Sequence, residues 1–199
     1  MFAFFEDRRA PRGEPAAWLF QDAIDCLEAW DATSLQTVLA RLEAEPGWVV
    51  AALEYELGYL FEPSAAPLTW STDPSRPLAR FWRFADCRSM DESAAEAWLA
   101  AQHGGAAAGI GAWQTGMTEQ AYCAAVDRIR NLIADGDCYQ VNLTMPIDFE
   151  WFGQPLDLYA RLRQRQPVRY GGIVGDARQA LLSLSPELFL ERRDDRLLT

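Results

Sequence analysis

The feature that most constrains the fold lies between Thr118 and Ile147, where the hydrophobic period changes abruptly. Tyr122, Val126, Ile129 and Ile133 recur every three to four residues, the spacing of one helix face. Thr118 suits the N-cap, and Gly136 can close the helix near Asp135 in a left-handed conformation. Beyond Asp137 the period becomes two. Tyr139, Val141, Leu143, Met145 and Ile147 alternate with Gln140, Asn142, Thr144 and Pro146, which predicts a strand over 139–147.

The rest of the chain mixes the same two patterns. Residues 1–5, 80–84, 170–175, 179–184 and 187–193 read as strands. Asp194-Asp195 reads as a turn, and Arg196 to Thr199 as the start of a returning strand. Residues 47–55 read as a buried strand and 63–79 as a loop. From Pro15 to about Trp30 the apolar positions Trp18, Ala23, Leu27 and Trp30 suggest a helix. A second helix follows a capping box at Thr33 and Gln36, with Leu35, Val38, Leu39 and Leu42 on one side, and stops at Pro46-Gly47. Asp91 is placed to cap a third helix, to about Gln102. The Gly- and Ala-rich stretch 103–112 reads as a connection, dividing residues 1–112 from 113–199. Its glycines match neither dinucleotide-binding nor P-loop spacing, and His103 reads as a solvent-exposed histidine.

Composition removes several functions. All 18 basic residues are arginine, so no lysine of this chain can serve as a Schiff base, nucleophile or phosphate ligand. The net charge of −11 argues against nucleic acid as a partner. The longest aliphatic run, Val49 to Leu53, is far too short for a membrane span, and no signal-peptide pattern opens the chain. Cys26, Cys87, Cys123 and Cys138 are scattered, and with a single histidine they form no recognisable zinc pattern. Cytoplasmic, reduced and metal-poor is the expectation.

Two residues are candidates for chemistry. Gln140 lies on the polar face of the 139–147 segment. That face fits either a half-exposed edge strand or a cavity lining, where an amide offers donor and acceptor without charge. Glu187 follows Pro186 at the start of the apolar run Leu188-Phe189-Leu190. It fits either a surface glutamate or a partly buried acid–base group.

These stretches carry a resemblance. Gly136-Asp137-Cys138-Tyr139-Gln140-Val141-Asn142-Leu143-Thr144 closely resembles the GD-x-(Y/F)-Q-V-(N/V)-L segment of chorismate-utilising enzymes. Ser185-Pro186-Glu187 resembles their S-P-E segment, and Glu54-Tyr55-Glu56-Leu57-Gly58-Tyr59 resembles their N-terminal (S/E)-Y-E-x-G-Y stretch. Tyr139 to Thr144 is most similar to the para-aminobenzoate branch of the family. The resemblance implies an α+β fold: antiparallel β-sheets with helices packed on their outer faces, around a central cleft. It implies that chorismate loses its 4-hydroxyl and gains an amino group at C4, giving 4-amino-4-deoxychorismate. Ammonia would come from a glutamine amidotransferase partner, and Mg²⁺ would be held by ligands beyond residue 199. Gln140 would stand where isochorismate-forming members carry a lysine base, and Glu187 would be the general acid–base. Both are the catalytic residues the resemblance assigns.

The chain also departs from the family pattern. Where relatives have N-P-(A/S)-P it reads Gln166-Pro167-Val168-Arg169-Tyr170, and the short N-terminal motif reads Phe4-Phe5-Glu6-Asp7. In relatives these two segments help hold tryptophan. The family's P-I-K-G-T segment, with its nucleophilic lysine, is expected just past Thr199. The chain therefore resembles an N-terminal portion: residues 1–112 as the N-terminal region and 113–199 as the opening of the chorismate-binding domain, inactive by itself. An anthranilate-forming portion and a non-enzymatic segment that binds a partner or ligand are the alternative expectations.

Overall fold

The computed structural model describes residues 1–102, 107–175 and 180–199, so His103 lies outside the described residues. Ten strands, four α-helices and two short 3-10 helices occur among them. Six strands form one curled antiparallel sheet in the order β3-β4-β2-β1-β7-β8. These are β1 (Phe2–Glu6), β2 (Ala17–Ala29), β3 (Trp48–Leu53), β4 (Ala79–Met90), β7 (Tyr170–Gly175) and β8 (Ala180–Ser185). The first strand pairs with β2 on one side and β7 on the other, so this sheet draws on both the early and late parts of the chain. Two smaller ribbons join β5 (Gly109–Thr115) to β6 (Ile147–Phe152), and β9 (Glu191–Arg193) to β10 (Arg196–Leu198).

Three helices cover one face of the large sheet. From α2 (Glu92–Gln102) and α4 (Pro155–Arg165), Leu99 and Tyr159 pack with Phe4, Leu19 and Ile173. Trp98 stacks on Phe4 at 5.2 Å between ring centroids. From α1 (Ala32–Ala44), Leu35 and Val38 pack on Ala29 and Phe81. The opposite face gathers Ala3, Val50, Trp82, Phe84 and Val174, all from strands. The expected layering of helices on antiparallel sheet is what these clusters describe.

Local chemistry explains most boundaries. The Ala94 N–H donates to Asp91 Oδ1 at 2.8 Å, as the sequence suggested. At α3 (Glu119–Asp135), Thr118 Oγ1 accepts from the Ala121 N–H, and Gly136 at φ 83° closes the helix. For α1 the cap falls two residues earlier than expected. Asp31 accepts from the Ser34 N–H at 2.7 Å, while Ser34 Oγ accepts from the Asp31 N–H.

Four expectations are corrected. The helix expected over residues 15–30 is the strand β2. Asp22 takes a positive φ of 54°, and the register slips between Ala23 and Asp25, so the two-residue alternation breaks in mid-strand. What remains imitates helical spacing. The strand over 47–55 is shorter, lies at the sheet edge, and buries only Val50. The strand expected over 139–147 is absent up to Pro146: those residues belong to no helix or strand, and pairing begins at Ile147. Alternation makes a two-faced segment but supplies no partner for its backbone groups, and among the described residues no strand pairs with it. The strand over 187–193 likewise begins only at Glu191.

Candidate functional site

The two residues singled out from sequence sit in loops. Gln140 is exposed, and its amide donates to Asn142 Oδ1 at 3.4 Å. Glu187 is also exposed, in the bend that leaves β8. Its backbone is held across Pro186: the Glu187 N–H donates to Ser185 Oγ at 3.3 Å, and the Ser185 hydroxyl meets the Glu187 carbonyl at 3.0 Å. Among the described residues, no hydrogen bond or ion pair joins Gln140 to Glu187. Both carboxylate and amide are thus open to solvent, where neither can work on a desolvated substrate.

The densest polar chemistry lies elsewhere, and sequence reading missed it. Tyr159 and Arg163 are four residues apart on α4 and so share one face. Both reach Glu6 at the end of β1. Glu6 Oε1 accepts from the Tyr159 hydroxyl at 2.7 Å and from Arg163 Nε at 2.6 Å, while Oε2 accepts from Arg163 Nη2. Arg163 Nη1 extends to both oxygens of Glu96 on α2, at 2.9 and 3.1 Å, and Arg8 joins the same carboxylate. Glu6 and Arg163 are almost fully buried. Burial, with the Glu6 charge and hydrogen bond, pushes the Tyr159 phenol well up and keeps it protonated. Burial opposes the charge on Arg163, but the two carboxylates outweigh it and raise its pKa. For Glu96 burial works upward, and Arg163 and Arg8 overcome it to lower the carboxyl's pKa. The readable signal was a glutamate closing an apolar strand together with a Tyr-x-x-x-Arg helical pair.

This network ties β1 to α2 and α4. It also forces Gly171: a Cβ there would lie 3.0 Å from the Tyr159 hydroxyl. Beside it opens a cavity of about 620 Å³, lined among others by Glu6, Arg8, Arg12, Ser93 and Arg163. A second cavity of about 580 Å³ lies near Trp82, Arg76 and Arg80. Neither cavity is lined by Gln140 or Glu187. The two segments that depart from the family pattern do meet. The Arg8 N–H donates to the Val168 carbonyl at 3.0 Å, and Arg169 pairs with Asp7 at 3.3 Å. Among the described residues, no three His, Cys, Asp or Glu side chains are grouped to hold a metal ion. No described helix is long and apolar enough to cross a membrane.

Comparison with known proteins decides the family. A family model for chorismate binding enzymes matches residues 18–199. The chain belongs to the chorismate-binding enzyme family. Among curated relatives, aminodeoxychorismate synthase component 1 of Klebsiella aerogenes is 31% identical over 106 residues, covering 52% of this chain and 24% of the relative. The protein of that name from Escherichia coli is 31% identical over 78 residues, covering 39% and 17%. Anthranilate synthase component 1 of Thermus thermophilus is 32% identical over 93 residues, covering 47% and 20%. The chain thus spans about a quarter, or less, of the length of these relatives.

Proposed function

We propose that this chain supplies part of an aminodeoxychorismate synthase component 1, which converts chorismate and ammonia into 4-amino-4-deoxychorismate. The observation that carries the reading is the ordered pair of segments, Gly136 to Thr144 and Ser185 to Glu187, inside the stretch matched by the family model. The Gln140-Val141-Asn142-Leu143 wording favours amination at C4, and relatives named aminodeoxychorismate synthase are among those matched. Relatives named anthranilate synthase component 1 match at similar identity, which makes anthranilate formation the second reading.

In this reading Glu187 delivers a proton to the departing 4-hydroxyl, which leaves as water, and takes one up from the incoming nitrogen. Gln140 binds substrate as a neutral amide. An amide has no basic lone pair to activate water, so hydration of the ring is disfavoured and ammonia can win. Both roles require enclosure, because solvent-exposed groups give up the electrostatic advantage of a closed site. Further sequence, beyond the 199 residues, is proposed to close over them, to hold Mg²⁺ and to complete the surface that receives a glutamine amidotransferase subunit.

The test uses two proteins. The 199-residue chain alone, given chorismate, Mg²⁺ and ammonium, is expected to form no product. When residues 1–199 replace the matching part of the Klebsiella aerogenes relative, turnover is expected. There Glu187→Ala should lower kcat by about 100-fold or more, and Gln140→Ala by less. An unchanged kcat in Glu187→Ala refutes the acid–base assignment.

A further inference from the structure

The β7–β8 ladder ends on the pair Tyr170 and Ser185. Pro186 follows, and a proline has no N–H with which to carry a ladder onward. Glu187 therefore leaves the sheet, in the bend just past that rung. Backbone that leaves a strand is ordinarily freer than the strand itself. Here the half-buried Ser185 bridges the proline. Its hydroxyl accepts from the Glu187 N–H at 3.3 Å and donates to the Glu187 carbonyl at 3.0 Å. One hydroxyl is both donor and acceptor, so a single side chain holds the two peptide groups that flank the Glu187 Cα. Peptide groups are planar, so holding both fixes φ and ψ between them and hence the direction of the Cα–Cβ bond. Neither hydrogen bond touches the carboxylate. The clip sets where the side chain starts and leaves both of its oxygens for proton transfer.

We propose that Ser185 is a positioning residue for the amination: its hydroxyl aims Glu187, so that the carboxylate meets the 4-hydroxyl and the incoming nitrogen at proton-transfer distance. This rests on the reading of Glu187 as the acid–base group. Proton transfer needs heavy atoms about 2.6–3.2 Å apart. A misplacement of about 1 Å costs on the order of 100-fold in rate. A side chain as long as glutamate turns a modest backbone rotation into a displacement of that size. The loss falls on kcat rather than KM, because the proton moves in the transition state and not on binding. A serine that only ended β8 would behave differently. Its removal would weaken the fold and lower activity by the same factor whatever residue stood at position 187.

Steady-state kinetics with chorismate, Mg²⁺ and ammonium test this, on the protein carrying residues 1–199 in the frame of its Klebsiella aerogenes relative. Ser185→Ala should lower kcat about 10- to 100-fold and leave KM within about twofold. Ser185→Thr, which keeps the hydroxyl, should stay within about threefold of the parent. The deciding comparison is the double variant. Once Glu187 is replaced by alanine, Ser185→Ala should lower kcat no further, because it acts only through the missing carboxylate. An unchanged kcat in Ser185→Ala, a loss confined to KM, an equal loss in Ser185→Thr, or a full further loss in the double variant overturns the proposal and leaves Glu187 in its role. An unchanged kcat in Glu187→Ala, or a folded parent without turnover, overturns the chemical reading and this proposal together.

Discussion

Replacing Arg163 by methionine removes the cation from an almost fully buried carboxylate while keeping most of the side-chain volume. Glu6 would retain only the Tyr159 hydroxyl, having lost the donors at Arg163 Nε and Nη2. Breaking a buried ion pair from one side costs about 3–5 kcal/mol, because the remaining charge has no compensation. Urea unfolding followed by circular dichroism should show Arg163→Met losing about 3–5 kcal/mol at pH 7. Adding Glu6→Gln should restore much of that loss, since no buried charge then remains. A loss below about 1 kcal/mol, or no recovery in the double variant, would refute the view that Glu6 is a buried charge held by Arg163.

The pH dependence of the parent has a sign at each end. Glu96, Asp25 and Asp31 have lowered pKa values, set for Asp25 by the Arg83 hydrogen bond and for Asp31 by the Ser34 N–H, so their stabilisation is present above the ordinary carboxylate range and is lost as pH falls through the lowered values. Tyr159 is raised, so its contribution is complete below the ordinary value of 10.0 and drains away as pH climbs above it; Tm should be flat between these limits and fall on both sides. Gly172→Ala would place a methyl 2.5 Å from the Phe5 ring, and a loss of about 1–3 kcal/mol in urea unfolding is expected; no loss would show that Phe5 moves freely. Hydrogen exchange should find β4 and β7 strongly protected and residues 109–152, where no residue of β5, α3 or β6 is buried, weakly protected; equal protection would contradict that exposure.

The sequence was most readable where one local rule decided the outcome. Thr118 and Gly136 bound α3, Asp91 caps α2, and Asp194-Asp195 turns the last hairpin, each through a side chain or backbone preference that acts within a few residues. It was least readable where a distant partner decides. The bulge at Asp22 to Asp25 disguised a long central strand as a helix, because the pairing with β4 that sustains it involves residues about sixty positions away. Conversely, the alternation over Tyr139 to Pro146 gave the pattern of a strand without a neighbour to pair with. The Glu6–Tyr159–Arg163 network was missed for the same reason, since Glu6 lies more than 150 residues from both of its partners. Gln140 and Glu187 were picked out by their places in the local pattern and given roles by the resemblance, and their exposure here gives no independent sign of chemistry.

The central claim concerns which bond is made on chorismate. The product of the protein carrying residues 1–199 in the frame of its Klebsiella aerogenes relative tests it most directly. With chorismate, Mg²⁺ and ammonium, chromatography and mass spectrometry should detect 4-amino-4-deoxychorismate, with its side chain intact and nitrogen at C4. Anthranilate as the product, or no product from a protein shown to be folded, would contradict the account.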